Sequence, residues 1–216
     1  MEPAVMAIGG GRWSVIDYFL FVNRCRLDFL VTVPYRENSS HLIQYLRREK
    51  KKMNQKKSVN EEYHGFEQGP IRPPSEAKSL LIRVTRNCPW NRCSFCPVYK
   101  NTRFSLRPVD HVIQDIDMVA KYVDALKEKG GTEGRITQAE LDEIAGKVPY
   151  HESQAFRASL NWYAAGMRSV FIQDANSLIM PAPDMIDILE HLKSRFFWVQ
   201  RITSYARSHT IARIKD

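Results

Sequence analysis

Three cysteines within nine residues, Cys88, Cys93 and Cys96, constrain this chain more than any other feature. They follow directly on Leu80-Leu81-Ile82-Arg83-Val84-Thr85, an apolar run rich in strand-forming residues. A strand fixes one end of such a loop, and the loop can then fold its sulfurs toward one point. Three soft thiolates suit zinc or iron–sulfur chemistry and serve oxygen-preferring metals poorly. Only four cysteines occur in 216 residues, three of them clustered. That is not a disulfide framework, so a reducing, cytoplasmic setting is expected.

The spacing leaves two metals in play. C-x4-C-x2-C also opens the plant-type ferredoxin pattern, which needs a fourth, distant cysteine for its [2Fe–2S] centre. Cys96 is the last cysteine, and Cys25 is the only other, far upstream. A structural zinc site wants four protein ligands, usually as two pairs. His111 is the candidate fourth ligand, but it falls inside a predicted helix with no second knuckle. A [4Fe–4S] cluster on three thiolates instead leaves one iron open to an exogenous ligand.

The run Thr85-Arg86-Asn87-Cys88-Pro89-Trp90-Asn91-Arg92-Cys93-Ser94-Phe95-Cys96, with Val98-Tyr99-Lys100 and Arg103-Phe104 after it, resembles the radical S-adenosylmethionine superfamily. Within that superfamily it is similar to a set of Fe–S oxidoreductases. The usual spacing there is C-x3-C-x-aromatic-C; this chain has one residue more between its first two cysteines. The resemblance covers roughly residues 78 to 216. It implies that Cys88, Cys93 and Cys96 ligate a [4Fe–4S] cluster, with Phe95 beside the adenine of S-adenosyl-L-methionine. It also implies an electron donor such as flavodoxin or ferredoxin. The implied reaction is reductive cleavage of S-adenosylmethionine to a 5′-deoxyadenosyl radical, which abstracts hydrogen from a substrate that the sequence does not identify.

The rest of the chain supplies the frame. Val112, Ile113, Ile116, Val119, Ala120, Val123 and Leu126 recur at helical spacing, with Pro108 and Asp110 before them and Gly130-Gly131 as the stop. Thr137-Gln138-Ala139-Glu140 is a capping-box signature for a short helix in an insertion ending at Gly146. Residues 152–165 read as another helix. Ser169-Val170-Phe171-Ile172-Gln173 reads as a buried parallel strand and runs into Asp174, Asn176 and Ser177. Polar groups just past a strand in a β/α barrel face the active site, which makes these three ligand candidates. An Asx-type turn is the competing reading. By the resemblance, this is where the superfamily carries a glycine-rich motif for the methionyl amine, and that motif is replaced here. After a helix around Met185–Leu192, residues 197–203 read as a third strand. Ser204 and Arg207 beyond it are candidates for the cofactor's carboxylate or ribose.

The expected fold is therefore α/β: the N-terminal half of a partial parallel (β/α)6 barrel with a helical insertion, three of six strands being present over residues 79–216. Such a half-barrel is expected to be an incomplete catalyst with an open sheet edge after its third strand. Residues 53–78 carry Gly65, Gly69, Pro70, Pro73 and Pro74 and read as a linker. Residues 1–52 read as a poorly structured extension of uncertain status. They hold nine Lys and Arg against five Asp and Glu, half of the net charge of +8. A nucleic-acid partner is suggested weakly at most, the alternative function being a zinc-stabilised nucleic-acid-binding module. Charged residues interrupt the apolar runs at 15–22 and 27–33, so no membrane span is expected.

Overall fold

The computed structural model describes residues 61–130 and 135–212, together with the backbone of two strands nearer the N-terminus. In chain order the strands and helices are β1 (Phe19–Val22), β2 (Phe29–Pro34), β3 (Leu80–Arg83), β4 (Thr85–Arg86), β5 (Ser105–Leu106), α1 (Val109–Gly130), α2 (Gln138–Ala145), α3 (Ser153–Ala164), β6 (Ser169–Gln173), α4 (Ala182–Arg195), β7 (Arg201–Ala206) and α5 (Ser208–Ile211). The main sheet has the order β1-β2-β7-β6-β3. Its three strands β3, β6 and β7 are mutually parallel, with Leu80 opposite Val170 and Ser169 opposite Arg201. Each crossover between them is helical, as parallel neighbours require. The molecule is thus mixed α/β with a three-strand parallel sheet.

Every residue of β3 and β6 is buried, in keeping with strands covered on both faces. On one face Leu80, Ile82, Val170 and Ile172 meet Val112, Ile116, Val119 and Val123 of α1, Ala155, Ala158 and Trp162 of α3, and Ile188 and Leu192 of α4. Trp162 locks this layer: its ring lies edge-on to Phe196 at 5.0 Å, and its indole N–H donates to the Ser169 carbonyl at 2.8 Å. Helix α2 begins as its sequence dictates, with both reciprocal bonds of the capping box between Thr137 and Glu140 in place. No helix among the described residues is long and apolar enough to cross a membrane.

Three regions differ from the sequence reading. The third strand starts at Arg201, four residues later than expected. Phe196 enters the helical core and Phe197 is largely exposed, so the 197–200 stretch is a loop; Ser204 consequently lies within the strand. Residues 61–78 do not hang between two domains. Phe66 is buried in the core, and the Gly- and Pro-rich stretch runs from Gln173 at the C-terminal ends of the strands to a buried Glu76 at their N-terminal ends, whose carboxylate receives Arg201 at 3.0 Å. Proline and glycine there shape a close-fitting strap. Finally, β1 and β2 form an antiparallel hairpin, and β2 lies along β7 from Phe29 opposite Ala206 to Pro34 opposite Arg201. The sheet edge expected to be open after the third strand is paired, by part of the extension expected to be poorly structured. Cys25 lies outside the described residues.

Candidate functional site at the strand ends

The cysteine loop leaves the sheet through two asparagines. Asn87 and Asn91 have φ of 66° and 45°, and Asn101, on the returning limb, has 62°. Asparagine enters this left-handed region more readily than other residues with a Cβ, and three such turns fold the segment back on itself. Its two limbs are tied together: Asn87 Nδ2 donates to the Arg103 carbonyl at 2.6 Å, and Asn91 Nδ2 to that of Thr102 at 2.8 Å. The short pairing of β4 with β5 closes the base. Cys88, Cys93 and Cys96 are free thiols, each partly accessible. Lys100 reaches across to donate to the Cys93 carbonyl at 3.1 Å.

Beneath this loop lies a buried polar network that the sequence reading passed over. Arg83, the last residue of β3, donates to Glu67 at 2.6 Å and to Asp174 at 2.9 Å. Arg86 bonds both oxygens of Glu67, at 3.0 and 2.9 Å, and pairs with Glu61 at 2.7 Å. Arg107 bonds the carboxylate of Asp115, which also accepts from Tyr63 at 2.8 Å. Burial pushes the Asp115 carboxyl up, opposed by its bonds to Arg107 and Tyr63. Burial likewise raises the Tyr63 and Tyr99 hydroxyls far above the ordinary phenol range, helped by their carboxylate partners, so both remain donors. Two signals pointed here. Arg83 interrupts an apolar strand, and Asp115 sits on the apolar face of α1 between Val112 and Ile116. A charge in such a place must find a partner.

The strand-end candidates divide sharply. Asp174 is 2% exposed, and its carboxylate is occupied by Arg83, by the Asn87 N–H at 3.3 Å and by the Tyr99 hydroxyl. A Cβ on Gly69 would come within 3.1 Å of the same carboxylate, so the strap passes directly over it. Ser177 donates to the Ile172 and Asp174 carbonyls at 3.0 and 3.4 Å, while the side chains of Asp174 and Asn176 bond distant residues and make no local cap. Ser204 donates to the Ile172 carbonyl at 3.1 Å and is turned into the sheet. Asn176 bridges the loops after β6 and β7, accepting from Arg207 N–H at 3.0 Å and donating to Thr210 at 3.0 Å. Arg207 keeps its guanidinium free of carboxylates in the described set and lays it over the Trp90 ring, 4.2 Å from the centroid. Trp90 belongs to the cysteine loop, so the end of β7 and the thiol loop touch. Phe95 is 80% exposed at the loop surface.

The metal question can be put to these residues. Three thiols in one loop are a donor set that fits an iron–sulfur cluster. Among the described residues no three His, Cys, Asp or Glu side chains converge on one point, so the thiols are gathered in sequence but not in ligand geometry. His111 is buried with its ring edge-on to Tyr63 at 5.4 Å, packed in the polar network. No protein-family model matches the chain, and searches of curated proteins and of solved structures return no match either.

Proposed function

We propose that the chain is a radical S-adenosylmethionine enzyme of the Fe–S oxidoreductase kind, with Cys88, Cys93 and Cys96 holding a [4Fe–4S] cluster. The observation that carries this reading is position: three free thiols on one loop at the C-terminal ends of parallel strands, in contact with the end of β7 through Trp90 and Arg207. Pockets of β/α folds form at those ends. When bound, the cluster would supply the electron that cleaves S-adenosylmethionine at its sulfonium and releases the 5′-deoxyadenosyl radical. The chain's own part is to hold and shield. Arg207 and Asn176 offer a cation and an amide beside the loop, suited to a carboxylate or ribose. Phe95 and Trp90 offer flat apolar surface suited to a purine. Asp174, Ser177 and Ser204, with their polar atoms spent on the protein, act as framework in this reading.

A zinc-stabilised module is the second reading, and it lacks support for a fourth ligand because His111 is packed against Tyr63. Anaerobic reconstitution with iron and sulfide separates the two. A broad brown absorbance near ~400 nm that dithionite bleaches is expected, as thiolate-held clusters give; a colourless protein with stoichiometric zinc would sink the enzyme reading. Cys93→Ala should abolish cluster assembly, since two thiolates do not retain the cube, whereas Cys25→Ala should leave the iron content unchanged.

A further inference from the structure

We propose that Asp174 is the positioning residue of the cysteine loop, its one carboxylate fastening both limbs of the loop to the end of β6. This rests on reading the loop as a metal clasp. Asp174 stands immediately after Gln173, the last residue of β6. Oδ2 accepts the N–H of Asn87, the residue before Cys88, at 3.3 Å, while Oδ1 accepts the hydroxyl of Tyr99, three residues past Cys96. The segment from 88 to 98 is therefore closed into a loop across a single side chain. That side chain is itself fixed. Arg83 holds Oδ2 at 2.9 Å, and the Asp174 N–H donates to Thr85 Oγ1 at 3.2 Å. Above it, Gly69 donates its N–H to Gln173 Oε1 at 2.9 Å and lies close over the carboxylate, which is 2% exposed.

The arrangement does something that the loop's own bonds do not. The Asn87–Arg103 and Asn91–Thr102 bonds tie limb to limb, which sets the loop's shape but not its placement. Asp174 ties both limbs to the parallel sheet. The thiols thereby keep a constant distance from the strand end that carries Asn176 and from Arg207, which Asn176 holds. Ligand groups act only when their support holds them to a fraction of an ångström. A charged acceptor with three donors is a strong tether, and an exposed ligand-binding carboxylate would not be built this way.

Tyr99→Phe and Asp174→Asn in the full 216-residue chain test this with two readouts. The first is the alkylation rate of Cys88, Cys93 and Cys96 by iodoacetamide in the iron-free protein, resolved by peptide mass. The second is the electron paramagnetic resonance spectrum of the reduced, reconstituted protein. Tyr99→Phe removes one tether without adding volume, so the urea midpoint should fall only by what one lost buried hydrogen bond accounts for, while Cys96 alkylates several-fold faster. Asp174→Asn should accelerate all three thiols, by about tenfold. Where a cluster assembles, its g-values should shift in both variants, which a purely stabilising residue elsewhere in the core would not cause. Wild-type alkylation rates in Tyr99→Phe overturn the proposal, as does an unchanged spectrum. If Asp174→Asn fails to fold, Tyr99→Phe decides alone. If the wild-type chain takes up no iron, the cluster reading fails by itself, and the alkylation rates still decide whether Asp174 holds the loop.

Discussion

The helix-covered face of the parallel sheet and the C-terminal ends of its strands are built on opposite principles. Around Trp162, Phe196, Ile188 and Val119 the contacts are apolar and many, and each is replaceable by another of similar volume. Around Asp174, Arg83, Glu67, Arg107 and Asp115 the contacts are few, charged and mutually dependent. The first kind tolerates drift, because dispersion is non-directional. The second fixes orientation, because a buried charge without its partner costs several kcal/mol. The apolar face therefore supplies most of the stability and the charged end most of the geometry. The cysteine loop is mounted on the charged end.

The contrast can be broken at either side. Trp162→Ala should have the largest effect, about 3–5 kcal/mol in urea unfolding from the emptied core, with the indole bond to the Ser169 carbonyl lost besides. Arg107→Met should follow at about 3 kcal/mol, because Asp115 stays buried with only Tyr63 and the Glu67 N–H as donors. Adding Asp115→Leu to it should recover much of that loss. Additive losses in the double variant, measured by the same urea series, would show that the two groups do not act as a pair. The smallest effect lies at the outer helix. Lys129 and Lys147 hold the Glu143 carboxyl down to about 2, below its value in the unfolded chain. A depressed carboxyl contributes fully above the unfolded value and loses its contribution as pH falls through the folded one. The thermal midpoint of the wild type should thus fall faster than that of Glu143→Gln between pH ~4.5 and ~2, by a margin that salt erases.

What the sequence disclosed follows the same division. Periodicity marked α1 and α4, the capping box marked α2 to the residue, and the apolar run marked β6, because these signals are local. The charged end is assembled from residues 61–67, 83–86, 107, 115 and 174, and no local pattern joins them. Arg83 and Asp115 stand out of place on apolar faces, a signal that partners exist, but nothing local names those partners. The third strand slipped because Phe197-Trp198-Val199 has strand composition, while Phe196 and Trp198 are drawn into edge-to-face contact beside α4. Glycine and proline in 65–74 mark departure from regular structure, and a strap departs from it as fully as a linker does.

The hairpin on β7 has a consequence for how the molecule is made. Its register pairs Pro34 with Arg201, residues roughly 170 positions apart in the chain. At ~5–20 residues per second, a ribosome exposes the hairpin about ten to thirty seconds before its partner strand emerges. During that interval the outer edge of β2 presents Phe29-Leu30-Val31 with its amides unpaired, the kind of segment that recruits strands from other chains. Closing the pair is then a late, long-range event that waits on the parallel core. The order of assembly is written into the register: the cysteine loop and its tethers, all within residues 61–174, can be in place while the sheet is still one strand short of its partner for the hairpin.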